Sequence, residues 1–264
     1  MGSATREALA SAVATLDSAT GAADLATGEQ LLDAGRIIGS SSQLRAALAD
    51  HSVDDAAKRS IIGKLFGSYT PAAQGVLEAV AVGRWSDEDD LLAGIEELGI
   101  RALAASAGEG VSIEAELFEF SRAIQSNSQL ELAVGSKLGT TESKVALVES
   151  LLAGKASAQT LSILRHLVSQ PRDRRIGELL RFATTVVAAQ AGLAVATVTS
   201  AAPLDAAQLD RLEKGLAGQY GQGLRINHLI DSSLIGGVRV QIGDEVIDGT
   251  IATKLNDLRL QLAR

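Results

Sequence analysis

"DSSLIGGVRVQIGDEVIDGTI" fills residues 231–251 and holds four glycines and most of the clear strand pattern in the chain. Val238, Val240 and Ile242 alternate with polar residues, as they do in a half-buried strand. Gly243-Asp244 reads as a two-residue hairpin turn, and Glu245 to Asp248 returns from it. Gly236-Gly237 reads as a turn that lets two strands meet closely, because only glycine takes φ > 0 without cost. Asp248-Gly249 turns the chain again, into a final helix with Ile251, Leu255, Leu258 and Leu262. Upstream, Ala194–Ser200 is β-branched, Asp205 to Tyr220 carries a helical leucine stripe, and Leu224, Ile226, His228 and Ile230 alternate. Residues 192–264 are therefore expected to form a small α/β module closed by a β meander, with Gly236, Gly237, Gly243 and Gly249 shaping its turns.

Everything before this module reads as helix. Ala8, Leu9, Ala12, Val13 and Leu16 make one apolar stripe over residues 4–18. A second helix carries Leu25, Leu31, Leu32, Ile37 and Ile38. Ser52 with Asp55, and Ser86 with Asp89, have capping-box spacing. Thr70-Pro71 places an N-cap before a proline at the first helical position. That predicts about six helices by residue 106, and then the pattern repeats. At a fixed offset of 86, Leu31, Arg36, Ile38, Ser40, Ser42, Gln43, Leu44 and Ala47 meet identical residues at Leu117, Arg122, Ile124, Ser126, Ser128, Gln129, Leu130 and Ala133. Internal repetition of this kind signals a duplicated structural unit. The expected organisation is a helical bundle over 1–106, a second copy over 107–191 and the α/β module over 192–264. The same offset from residues 4–18 lands near 90–104, so the second copy either lacks a leading helix or shares that one.

Composition narrows the chemistry. Aromatic residues are only 3% of the chain, so Ala, Leu, Val and Ile do the packing. With no cysteine, disulfides, thiolate metal sites and cysteine nucleophiles are ruled out. A net charge of −8 argues against a nucleic-acid partner. No run reaches the length of about 18 apolar residues that spans a bilayer, and the opening residues lack a signal-peptide pattern, so a soluble cytoplasmic chain is expected. His51, His166 and His228 are scattered and read as structural. Gly221-Gln222-Gly223 follows a helix and precedes a strand, the reverse of a phosphate loop, and position 226 is isoleucine where a third glycine would stand. Asp87-Glu88-Asp89-Asp90 stands at a helix start, where the dipole favours negative charge. Arg172, Arg174 and Arg175 form one basic spot, read as a solvated face or partner contact. No catalytic residue, metal ligand or cofactor is expected.

The residues "AVATVTSAAPLD", the following helix and "LRINHLIDSSLIGGVRVQIGDEVIDGTIATKLNDL" closely resemble the C-terminal module of the δ subunit family of F-type ATP synthases. The N-terminal unit resembles the family's six-helix domain more loosely, through the QLRAAL helix, Lys58–Phe66 with Gly67, and the Pro71 helix start. The length points to an extended form with a duplicated helical domain. The resemblance implies a non-catalytic stator subunit that ties the catalytic head to the peripheral stalk, on the cytoplasmic face of the bacterial plasma membrane and touching the membrane only through the complex. It implies that the N-terminal helix of an α subunit docks between residues 4–18 and 71–83, with Leu9, Val13, Leu16, Leu77 and Val80 at the groove. It also implies that the b-type stalk meets Ile251, Leu255 and Leu258. Each of these residues has a plainer reading as bundle core. The alternative functions are an unrelated helical-repeat adaptor and, on the glycine-rich module, a nucleotide-using enzyme.

Overall fold

The computed structural model describes residues 2–19, 24–108, 110–135, 139–220, 223–242, 245–251 and 253. The chain is mainly helical and divides into two compact units, Met1–Val187 and Ala188–Arg264.

The first unit opens with α1 (Ser3–Ala19), α2 (Leu25–Ser40), α3 (Ser42–Ala49), α4 (Asp55–Phe66), α5 (Pro71–Val82) and α6 (Glu88–Ala105). It continues with α7 (Ile113–Gln125), α8 (Ser128–Gly135), α9 (Thr141–Leu152), α10 (Ala158–Ser169) and α11 (Ile176–Gln190). Shifted by 86 residues, α3 and α4 coincide with α8 and α9, and α2, α5 and α6 fall within two residues of α7, α10 and α11. The repeat extends to tertiary detail. Gln30 on α2 accepts a hydrogen bond from the backbone N–H of Thr70, the N-cap of α5, at 2.8 Å. Glu116, its counterpart on α7, accepts one from the N–H of Ser157, the N-cap of α10, at 3.0 Å. The Arg36–Asp33 pair likewise recurs as Arg122–Glu119.

Two caps differ from the sequence expectation. Asp54, not Ser52, caps α4 by accepting from the Ala56 N–H, and Asp87, not Ser86, caps α6 by accepting from the Asp90 N–H. A carboxylate at the N-cap satisfies an orphan donor as a hydroxyl does and also meets the helix dipole. Ser86 is engaged elsewhere. Its backbone N–H donates to Thr5 Oγ1 at 3.0 Å, and Thr5 donates to Asp90 at 2.6 Å, which pins the buried start of α1 to the start of α6.

The leading helix that the second copy lacks is α6, 86 residues after α1. Eleven of its eighteen residues are buried, so it has no single solvent face. Leu91, Leu92, Ile95, Leu98 and Ala102 join the core formed with α1, α2 and α5, whereas Ile100 and Leu103 join the core formed with α7, α10 and α11. Glycines let α2 lie against it closely. A Cβ on Gly28 would sit 2.6 Å from Leu103 Cγ, and one on Gly99 would sit 2.5 Å from Leu32 Cδ2.

A buried ionic cluster reinforces the join. Glu96 on α6 is 2% exposed and faces His166 of α10 at 3.2 Å, together with Arg172 and Arg174 from the turn after α10. One Arg174 nitrogen reaches both carboxylate oxygens, at 2.8 and 2.7 Å. Arg172 and Asp173 adopt φ of 45° and 59°, a left-handed pair that non-glycine residues enter only when the surroundings hold them there. The basic spot expected on a solvated face is thus turned inward for Arg172 and Arg174. An uncompensated carboxylate at this depth would be neutral, and the clustered cations account for the inversion.

The second unit carries β1 (Leu193–Ser200), α12 (Ala206–Tyr220), β2 (Gly223–Ile230), β3 (Val238–Ile242) and β4 (Glu245–Asp248). The strand order is β2-β1-β3-β4. β1 pairs parallel with β2, with Leu193 opposite Gly223 and Ser200 opposite Ile230. β1 also pairs antiparallel with β3, with Val198 opposite Val240. The expected meander is therefore a mixed sheet, because α12 between β1 and β2 makes them a parallel crossover pair and leaves β3 the other edge of β1. Ala196, Val198, Leu216, Leu224 and Val240 form its small core.

Gly236 and Gly237 have φ of 152° and 83°. Gly249 donates its N–H to Val238 O at 2.9 Å, and Ile251 donates to Gly236 O at 3.0 Å, which carries the β3/β4 pairing past the strand ends. Gly249 has no positive φ and serves by its size, since a Cβ there would lie 3.0 Å from Val238 O. Gly243, and with it the Gly243-Asp244 turn, lies outside the described residues, as do Gly221 and Gln222.

Two outcomes follow from these joins. Burial pushes the Glu96 carboxyl up, but the His166 hydrogen bond and the charges of Arg172 and Arg174 outweigh it and hold the pKa below 4.5. Its stabilising effect is complete above pH 4.5 and is lost as the pH falls through the lower folded value. Glu96→Gln should lower stability by about 2–3 kcal/mol in urea unfolding at neutral pH, and the difference from the parent should shrink in acid. Gly237→Ala places a Cβ 2.5 Å from the Gly249 carbonyl oxygen in a left-handed conformation. It should destabilise the second unit by about 3 kcal/mol, read by heat capacity calorimetry.

Candidate functional site

Helices α1 and α5 pack side by side. Their inner faces close the core. Ala8, Ala12 and Leu16 on α1 are buried, as are Ala73, Val76, Leu77 and Val80 on α5. The α1 periodicity places Leu9 and Val13 one step round the helix, and both are half-buried against the core. On α5 two of the partly buried positions are small, Gly75 and Ala79. Ala79 is half-buried, and an added Cβ on Gly75 would meet nothing within 4 Å. Leu9 and Val13 on α1 and Ala79 on α5 are thus the partly buried apolar residues at the edge of this helix pair.

The five groove residues expected from the sequence separate accordingly. Leu9 and Val13 reach the surface. Leu16, Leu77 and Val80 are 0%, 1% and 2% exposed and hold the two helices together from behind. The sequence pattern could not divide them, because a helical stripe is the same whether its edge meets a neighbouring helix or solvent. Gly75 and Ala79 were not singled out, and the signal was a glycine inside a helix that otherwise has strong helix formers.

A cavity of about 530 Å³ lies beside the Glu96 cluster, lined also by Gly39, Arg45, Asp89 and Asp90. Its charges are already committed. Arg172 and Arg174 bind Glu96, and Arg45 binds Glu88 at 3.1 Å and the Gly39 carbonyl at 2.9 Å. Phe182 covers the Arg174 guanidinium at 5.5 Å. The arrangement joins helices, and each of these three arginines is paired with a carboxylate. His228 is engaged as well, 2.6 Å from Ser200 Oγ, which in turn donates to Ala202 O.

In the second unit Ile251 is 43% exposed and hydrogen-bonded beside Ile235, which is 75% exposed. The Ile251 side chain lies over Gly236, where a Cβ would approach its Cδ1 to 2.8 Å. Ile235 and Ile251 are thus two exposed large apolar residues near this end of the β3/β4 pair. Ile235 belongs to the LIGG run, which was read for its glycines and not for the isoleucine before them. Leu255 and Leu258 lie outside the described residues. Among the described residues no helix is long and apolar enough to cross a membrane.

Residues 100–262 match the family described as ATP synthase delta (OSCP) subunit. That match covers the second helical copy and the α/β module, while residues 1–99 lie before it. Full-length relatives carry the added part too. An ATP synthase subunit delta of Leifsonia xyli subsp. xyli is 50% identical over 263 residues, covering 100% of both chains. One from Kineococcus radiotolerans is 38% identical, covering 98% of this chain and 96% of its own, and one from Streptomyces avermitilis is 35% identical, covering 98% of each. The chain belongs to the ATP synthase delta (OSCP) subunit family, as a structural and not a catalytic subunit of the F-type ATP synthase.

Proposed function

We propose that this subunit is a stator link, which takes an α-subunit N-terminal helix of the catalytic head at one end and the b-type peripheral stalk at the other. The observation that carries the reading is that Leu9 and Val13 of α1, which packs against α5, are apolar and only half-buried at the edge of the core. An amphipathic helix lays its apolar face into an apolar groove and anchors at i, i+3, i+4 and i+7. Leu9 and Val13 border a core that Leu16, Leu77 and Val80 already complete. Leu9 and Val13 are the contacting residues in this reading, and the three buried ones fix the groove's width.

The stalk contact falls on Ile235 and Ile251 and continues to Leu255 and Leu258. Residues 1–106 and 107–191 are the two helical copies in this reading, and 192–264 the stalk-facing module. The subunit sits at the cytoplasmic face of the plasma membrane and reaches the membrane only through its partners. An unrelated helical-repeat adaptor is set aside by the family membership, and among the described residues no arrangement favours a nucleotide-using enzyme.

The reading is tested by calorimetry with the full chain and a peptide copying the α-subunit N-terminal helix. Val13→Glu should weaken binding at least about tenfold while leaving the helical circular dichroism intact, because the residue is only half-buried. Unchanged affinity would place the helix elsewhere. A paired Ile235→Glu and Ile251→Glu variant should lose co-purification with b-type subunits and keep peptide binding.

A further inference from the structure

The duplication offers a second groove by symmetry, and its walls can be found by the 86-residue offset. Leu9 and Val13 of α1 correspond to Ile95 and Gly99 of α6. Neither is open. Ile95 is 0% exposed, with an added Cβ on Gly35 of α2 only 3.2 Å from its Cγ2. Gly99 is filled by Leu32 of α2, whose side chain would meet an added Cβ at 2.5 Å and whose backbone nitrogen would meet it at 3.2 Å. Leu32 is counted in the core of the second copy although it belongs to a helix of the first.

The other wall has changed in character. Ala79 of α5 corresponds to Arg165 of α10, which pairs with Glu149 at 2.6 Å. Val80 corresponds to His166, which faces Glu96. Ser162 of α10 donates to Glu29 of α2 at 2.5 Å, so α10 is tied to the same helix that covers α6. An incoming apolar helix would have to displace α2 and strip these polar pairs, whereas Leu9 and Val13 at the first are only half-buried.

We infer that the chain docks one amphipathic partner helix and not two, because α2 is the built-in occupant of the second groove. This rests on the helix-in-groove reading above and adds its stoichiometry. The cause is the sharing of α6. The face that a leading helix would leave open is the face that α6, as the last helix of the first copy, already gives to α2.

Two measurements separate this inference from the reading it rests on. Calorimetry of the full chain with the α-subunit N-terminal peptide should give about one site, weakened at least about tenfold by Val13→Glu and unmoved by Arg165→Glu. Two sites, or one site lost with Arg165→Glu and kept with Val13→Glu, would overturn the inference. Hydrogen exchange on the free chain should show α2 amides between residues 28 and 39 as protected as those of α6. Exchange in α2 as fast as in the short α3 would mean that the plug is not seated, and would overturn the inference whether or not the peptide binds. Absence of peptide binding with α2 protected would instead remove the helix-in-groove reading and leave the second groove closed.

Discussion

The helical unit depends on one constraint, that α6 must be apolar on two faces at once. A surface helix needs one apolar stripe, and such a helix can be replaced or moved without disturbing more than one core. α6 has Ile95 and Leu98 in one core and Ile100 and Leu103 in another, with Glu96 on the second of these faces. Apolar packing alone would allow the second copy to slide or rotate along α6, since dispersion contacts have little directional preference. The Glu96 cluster supplies the direction, because a carboxylate met by His166, Arg172 and Arg174 is satisfied in one arrangement only. Burying these charges contributes little net stability by itself, but separating them is costly, so the cluster fixes how the second copy sits on α6.

The helices and their order were legible in the sequence. So was the repeat, since identical residues at Leu31 and Leu117, or Gln43 and Gln129, need no structure to be seen. What the sequence left open was which of two partners a given apolar residue would meet. Leu9 and Leu16 lie on the same stripe, yet one borders solvent and the other is core. Local pattern carries the period of a helix and not the position of its neighbours. The same limit explains the caps. Ser52 and Ser86 had suitable spacing, but Asp54 and Asp87 stood closer to the first turn, and Ser86 was claimed by Thr5 from across the bundle.

The small sheet shows the complementary case. β1, β2 and β3 were readable from alternation, and Gly236-Gly237 was readable as a turn where strands come close. Strand order was not, since nothing within Val238–Ile242 says that it pairs with β1 and not with β2. The helix between β1 and β2 was the clue to their parallel pairing. Arg172 and Arg174 misled for a different reason. Their charge is visible in sequence, whereas the single buried carboxylate they serve stands 76 and 78 positions away.

The borrowed helix also sets how such a chain can lengthen. One copy standing alone needs six helices, but each further copy adds only five, because its first is the last helix of the copy before. Repeats that contact only their neighbours grow in this way. A third copy added after α11 by the same step would take α11 as its leading helix and bury that helix's outer face in doing so. However long such a series became, only its first member would keep an unshared leading helix. The array has polarity: it extends in one direction, and its single open end stays at the N-terminal side.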